Sequence, residues 1–101
     1  MNREQKIALV KSIVSVWGGF NVSEADESVC ICVGELGGLV ALVDYVSLDC
    51  IDVSVYSPDS FSSDSLVDYT MQYSELTDQA LDELVSLCRK YNEVMLEQEE
   101  E

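Results

Sequence analysis

The side chains that could do chemistry in this sequence are cysteines and carboxylates, because the chain contains no histidine. Histidine is the commonest general base, the usual partner of a catalytic serine or cysteine, and the commonest metal ligand. The four cysteines are Cys30, Cys32, Cys50 and Cys88, and none of them forms the C-x2-C pair of a structural zinc site. Free cysteine is among the most buried residue types. We therefore predict core thiols, with a zinc site or a redox pair as the alternative.

Carboxylates are the second group, since paired acids support glycosidase-like or metal-assisted catalysis. The closest groupings are Asp26 with Glu27, Asp82 with Glu83, and the trio Asp59, Asp64 and Asp68. Among twenty acids such pairs arise by chance, and none matches a calcium loop with its ligands at alternate positions around a glycine. We therefore predict that the protein is not an enzyme and binds no cofactor or metal. Carboxylate catalysis is the alternative hypothesis.

The charge distribution is the most unusual property of the sequence. Twenty Asp and Glu residues oppose five Lys and Arg residues, which gives a net charge of −15. No basic residue lies between Lys11 and Arg89. Direct binding to nucleic acid phosphates or to anionic membranes is disfavoured by this charge. One interpretation of this charge is solubility or adaptation to salt, and the other is an acidic surface that binds a basic protein.

The N-terminus shares some features with a secretory signal, because Arg3 and Lys6 precede an apolar run. Lys11 interrupts that run, and no cleavage site with small residues follows at the expected distance. No apolar stretch approaches the length that crosses a bilayer. We therefore expect a soluble protein located in the cytoplasm.

Residues 3–17 have the apolar periodicity of a helix. The residues that recur at helical spacing are Ile7, Val10, Ile13, Val14 and Trp17. Asn2 is placed to cap the first turn, and Gln5 completes a capping box three residues further on. Gly18 and Gly19 end the helix, because glycine accepts the left-handed conformation at a helix C-terminus without steric cost.

A second helix is predicted over residues 77–97, with Thr77 as its N-cap. Acidic residues fill its first turn, where the helix dipole favours them. Residues 97–101 place further acids at the unfavourable end of the dipole, so we expect this tail to fray. We therefore predict a single α+β domain over residues 1–96, followed by a frayed acidic tail.

Between the helices the sequence has strand chemistry, after a short extended piece and a loop over 20–27. Strands are predicted over 28–33, 39–47, 50–56 and 66–73, with turns at 35–38 and 48–49 and a loop at 57–65. Short connections favour antiparallel neighbours. The predicted fold is α+β in the order α-β-β-β-β-α, an antiparallel four-stranded meander sheet with the N-terminal and C-terminal helices packed on one face.

Strict alternation along these strands assigns side chains to the two faces of the sheet. The face away from the helices is expected to carry Asp52, Ser54, Tyr56, Asp68, Thr70 and Gln72. Alternation also places Leu42, Asp44 and Val46 on one strand face, which predicts an apolar patch around Asp44.

In size and charge the chain resembles small acidic proteins of phages and mobile elements, such as anti-restriction and anti-CRISPR proteins, and also nuclease immunity proteins and antitoxins. The resemblance is compositional and covers the whole chain, but no motif carries it, so it transfers no site residues. It implies an inhibitor or nucleic-acid mimic that occupies a basic groove of a partner protein. The predicted partner-binding residues are Glu24, Asp26, Glu27, Asp44, Asp52, Asp59, Asp64, Asp68 and Tyr56.

The alternative function is a homo-oligomeric scaffold or chaperone-like binding module without catalytic activity. Secretion chaperones are similarly small, acidic, mixed α/β proteins and are often dimeric. An open sheet face or an edge strand would then form the interface, and a homodimer is the simplest such assembly.

Overall fold

The structure, a computed structural model, describes residues 1–26, 28–29, 31–58 and 65–99. Its elements in chain order are helix α1 (Arg3–Trp17), strand β1 (Phe20–Asn21), the one-turn helix α2 (Val22–Ala25), strands β2 (Cys32–Leu36), β3 (Leu39–Val46), β4 (Ile51–Tyr56) and β5 (Val67–Met71), a 3₁₀ turn (Tyr73–Glu75) and helix α3 (Asp78–Glu99). The predicted α+β fold, with one long helix at each end and an antiparallel sheet between them, is confirmed.

Strand β3 is the centre of the sheet. It pairs with β4 on one side, and β4 in turn pairs with β5 at the edge. On its other side β3 pairs with β2 near its beginning and with β1 near its end, where Phe20 lies opposite Val46. The meander from β2 to β5 is therefore as predicted. β1 is an additional strand in a segment for which the sequence predicts only an extended piece and a loop.

The hairpin between β2 and β3 differs from the prediction in its position. The sequence predicts a strand over 28–33 and a turn over 35–38, whereas β2 continues to Leu36 and leaves only two residues in the turn. Gly37 and Gly38 have φ angles of 58° and 88°. A two-residue hairpin turn of type I′ needs positive φ at both central positions, so the glycine pair fixes where the chain reverses.

A β-bulge in β3 overturns the strict alternation that the sequence predicts. Val43 lies opposite Val53, but Tyr45 lies opposite Asp52, so Asp44 is an extra residue with no counterpart on β4. A bulge of this kind exchanges the two faces of the strand beyond it.

The exchange of faces removes the apolar patch predicted from Leu42 and Val46. Val46 turns to the inner face, lies opposite Ile51 and is completely buried. Tyr45 turns to the other face, while Leu42 stays there half-buried. The prediction of a shared surface for Leu42 and Val46 is therefore wrong, because period-2 alternation does not hold across Asp44.

Helices α1 and α3 lie side by side and point in the same direction, as their contacts show by advancing together along both helices. The contacts are Arg3 with Asp78 at 2.8 Å, Lys6 with Asp82 at 2.5 Å, and Trp17 Nε1 with Asn92 Oδ1 at 2.7 Å. Arg3 also donates to the carbonyl oxygens of Ser74 and Leu76. The first turn of α1 is thereby attached to the segment that begins α3.

The main core lies between this helix pair and the inner face of the sheet. Fully or almost fully buried members include Val10, Val14, Val46, Ile51, Leu81 and Leu84. Phe20 of β1 stacks on Tyr91 of α3 with ring centroids 4.1 Å apart, so the short strand is packed against the long helix. A smaller cluster of Ala41, Val53 and Val55 extends the apolar inner face toward the other end of the sheet.

The helix ends follow their local sequence. Asn2 Oδ1 accepts a hydrogen bond from the backbone N–H of Gln5 at 2.8 Å, and the backbone N–H of Asn2 donates to Gln5 Oε1 at 2.9 Å. The predicted capping box is therefore confirmed. Gly18 ends α1 with a φ of 84°, and Thr77 Oγ1 accepts from the Ala80 amide at 3.2 Å. The helix α3 continues to Glu99, into the segment expected to fray, while Glu100 and Glu101 lie outside the described residues.

The cysteines divide between the core and the surface. Cys88 is completely buried, and burial raises the pKa of its thiol to about 12. Cys50 is half-buried, whereas Cys32 is exposed, so the prediction of a core thiol is wrong for Cys32. Cys32 lies opposite Leu42, on the face of the sheet that the helices do not cover. Cys30 lies outside the described residues.

Burial of the Cys88 thiol predicts a loss of stability at alkaline pH. The unfolded chain releases this proton near pH 9, while the folded chain keeps it until about pH 12. The full contribution to the free energy of unfolding is therefore present below pH 9. As the pH rises above 9 the free energy of unfolding falls, by about 2 kcal/mol or more at pH 11. Urea unfolding of wild type and Cys88→Ala from pH 8 to 11 measures this slope.

The Cys88→Ala variant is expected to show a shallower pH dependence than the wild type. Cys32→Ala is the matched control, because it removes an exposed thiol instead of the buried one. Equal slopes for wild type and Cys88→Ala would contradict the prediction.

The Tyr45 ring covers Gly19. A Cβ atom at position 19 would lie 2.7 Å from the Cε1 and Cζ atoms of Tyr45, so the ring has to move aside. We expect Gly19→Ala to lower the free energy of unfolding by about 1 kcal/mol, the low end of overpacking costs, because the obstacle is the far end of a half-buried side chain. In a Tyr45→Ala background the same substitution has space and should cost much less, so a double-mutant cycle measures the coupling. An equal cost in both backgrounds would show that the ring is not the obstacle.

Candidate functional site

The outer face of the sheet, meaning the face away from α1 and α3, is the candidate functional surface. Cross-strand register places Asp52 between Tyr45 and Thr70, and Ser54 between Leu42 and Asp68. The predicted assignment of Asp52, Ser54, Asp68 and Thr70 to one face is therefore confirmed.

Three carboxylates surround one open depression on this face. Its volume is about 300 Å³, and its lining includes Asp44, Asp52, Ser54, Asp68 and Thr70. We name this site the acidic depression. Asp52 and Asp68 are diagonal neighbours across the β4–β5 pair, which places their Cβ atoms about 7 Å apart. Asp44 joins them because the bulge turns this exposed residue out of the β3–β4 ladder.

Serine hydroxyls, rather than cations, hold the carboxylate of Asp68. Ser65 Oγ donates to Asp68 Oδ1 at 2.7 Å. This hydrogen bond, and a second one from the Ser54 side chain, keep the pKa of Asp68 below its ordinary value. Ser54 is only 4% exposed although it lies on the outer face. Asp68 is therefore oriented and ionised without being neutralised.

The cations of the chain lie on other elements. All five basic residues are on α1 or α3, namely Arg3, Lys6, Lys11, Arg89 and Lys90. None of the described strands contains a Lys or Arg, while β2 to β5 carry Glu35, Asp44, Asp52 and Asp68. The negative field of the outer face is thus not balanced by a cation on any described strand.

Two predicted site residues lie outside the acidic depression. Asp26 pairs with Lys90 of α3 and accepts from the Ser28 amide and hydroxyl at 2.9 and 2.6 Å. These partners hold the pKa of Asp26 far below its usual range, with the Lys90 contact as the largest cause. Glu24 is exposed on α2, which packs against α3. The structure therefore places Glu24 and Asp26 beside the helix layer.

The remaining predicted residues are Tyr56, Glu27, Asp59 and Asp64. Tyr56 is half-buried on the outer face opposite Val40, beyond the lining of the acidic depression. Glu27, Asp59 and Asp64 lie outside the described residues. The structure thus brings together Asp44, Asp52 and Asp68 from the predicted set.

The serines that organise the site could not be identified from the sequence. Ser54 has the alternation of an outer-face residue, but nothing in the sequence indicates its burial or its bond to Asp68. Ser65 falls at the end of a predicted loop, and a bond to a side chain three residues later is a common local pattern for serine.

The described side chains offer acceptors for cationic groups rather than a metal cage. Within residues 1–26, 28–29, 31–58 and 65–99, no group of three or more Cys, Asp or Glu residues is arranged to hold a metal ion. None of the described helices combines the length and the apolar character that crossing a membrane requires. Comparison with protein-family models, curated proteins and solved structures finds no match to this chain.

Proposed function

We propose that this protein binds a basic partner protein through the outer face of its sheet, as an inhibitor or nucleic-acid mimic that acts in the cytoplasm. The observation that carries the proposal is the confinement of the basic residues to the helix layer. Cations are confined to α1 and α3, while Asp44, Asp52 and Asp68 surround one depression on the opposite side of the sheet. An Arg or Lys of the partner would form charge-assisted hydrogen bonds there.

The net charge of −15 supports the same proposal through kinetics. A strong field of one sign accelerates encounter with a partner of the opposite sign, and added salt reduces that acceleration. Proteins that bind nucleic acids are basic in their grooves because they accept phosphates. Inhibitors of restriction or CRISPR nucleases from phages or mobile elements, and nuclease immunity proteins, are therefore the classes that this surface fits.

The test compares two triple variants that remove the same charge from different places. Asp44→Asn, Asp52→Asn and Asp68→Asn neutralise the acidic depression, while Glu83→Gln, Glu93→Gln and Glu97→Gln neutralise exposed acids of α3. Each protein captures partners from a host lysate at low salt, and the affinity of the captured protein is then measured. We expect the first variant to lose on the order of a hundredfold in affinity, since three exposed pairs at about 1 kcal/mol each sum to about 3 kcal/mol.

The control variant should keep most of the affinity and lose only part of the association rate. Equal losses in both variants would show that total charge, and not the outer face, matters. Captured proteins that are no more basic than the lysate as a whole would remove the proposal.

The alternative function, a homo-oligomeric binding module, loses the apolar patch predicted around Asp44, although a sheet edge is still present at β5. Val46 is in the core, so it cannot form an interface with Leu42. Repulsion between copies of charge −15 also opposes association at low salt. We expect light scattering to show a monomer in dilute solution at physiological salt, and a stable dimer there would favour the alternative.

A further inference from the structure

Strand β5 ends the sheet, and no described strand pairs with its free edge. An edge strand presents a row of N–H and C=O groups that can pair with another chain. Natural edges are often blocked by Lys, by Pro or by a bulge. β5 contains neither Lys nor Pro, and its pairing with β4 is regular along its whole length. Within the part of the chain that the structure describes, its edge is therefore open to a further strand.

The two sides of this edge differ in chemistry. On the outer face, Asp68 and Thr70 of β5 line the acidic depression. On the inner face, Val67 is 57% exposed, while Tyr69 and Met71 are half-buried against the smaller apolar cluster. A strand added here would therefore meet carboxylates on one side and apolar surface on the other.

We propose that β5 accepts an extended segment of the basic partner as an additional strand, with Arg or Lys at alternate positions and apolar residues between them. This inference rests on the proposed function and names the element of the partner that binds. Alternate side chains of an added strand point to opposite faces. Its cations would reach Asp68 and Asp52, its apolar residues would cover Val67, and its backbone would pair with β5.

Charge complementarity selects such a segment over a second copy of this chain. Antiparallel pairing of two β5 strands would bring two copies of Asp68, and two acidic depressions, onto one continuous sheet face. Like charges on neighbouring strands are destabilising. A basic segment makes the same backbone hydrogen bonds and neutralises the carboxylates instead.

The experiment uses short capped peptides in which Arg alternates with Val or Thr, and measures their binding to the full chain by fluorescence anisotropy. A peptide of the same composition, with its arginines in one block, is the control for net charge. We expect the alternating peptide to bind at least about tenfold more tightly, which corresponds to roughly 1.4 kcal/mol. Equal affinities would overturn the proposal.

Backbone pairing has its own test. Two isomers of the alternating peptide carry N-methyl groups on every second amide, one on the odd and one on the even positions. Only one edge of an added strand faces β5, so one isomer should bind like the unmodified peptide and the other should lose binding. Equal binding, or equal loss, would show that the peptide does not add as a strand.

Variants of β5 locate the contact. Val67→Lys places a positive charge at the exposed inner side of the edge, and we expect it to weaken binding at least about tenfold. Val16→Lys, on an exposed position of α1, is the matched control. Equal effects of the two substitutions would overturn the proposal, and circular dichroism verifies that both variants fold.

The outcomes separate this inference from the proposed function. If alternating and block peptides bind equally, and both depend on Asp44, Asp52 and Asp68, the acidic surface stands and the added strand is wrong. If neither peptide binds, both proposals fail. A dimer that dissociates when Val67 becomes Lys would show that a second copy occupies the edge.

Discussion

The extra residue at Asp44 is the feature on which both faces of the sheet depend. It turns Val46 into the core and leaves Asp44 beside Asp52 on the outer face. A bulge forfeits about one ladder hydrogen bond, worth about 1 kcal/mol net. Complete burial of a valine contributes about 1.5–3 kcal/mol. Burial of Val46 is therefore large enough to offset the cost of the bulge. The position of Asp44 on the surface is thus fixed by the position of Val46 in the core.

Features that depend on near neighbours in the sequence could be predicted, whereas features that depend on distant contacts could not. The capping box at Asn2, the glycine that ends α1 and the faces of β4 follow from neighbours within a few residues, and the structure confirms them. The bulge at Asp44 could not be predicted in this way, because an inserted residue other than glycine leaves no sign in the alternation of polar and apolar residues. The ion pair that removes Asp26 from the predicted site joins residues 64 positions apart in sequence. Contacts of that range depend on how the layers pack, which local patterns do not encode.

The cations of this chain lie on the helices, and most of them make contacts within or beside the helix layer. Arg3 and Lys6 reach the acidic first turns of α3, and Lys90 reaches Asp26, so three basic side chains pair within or beside the helix layer. Lys11 lies over the Tyr73 ring, 5.5 Å from its centroid. These contacts attach the parallel helices to each other and to the chain around α2. None of the described strands contains a Lys or Arg, so no cation of a neighbouring described strand neutralises their carboxylates.

Asp26 and Asp68 show why only some carboxylates of this chain are available to a partner. A cation that approached Asp26 would have to displace Lys90, and the exchange of one exposed ion pair for another gains little. Asp68 is held by hydroxyl groups, so it is ordered but still charged, and a partner cation adds to its bonds instead of replacing one. A single exposed pair is nevertheless worth at most about 1 kcal/mol. Useful affinity therefore requires several such carboxylates on rigid strands, together with backbone or apolar contacts beside them. The outer face provides the carboxylates, and the neighbouring edge of β5 provides the backbone groups.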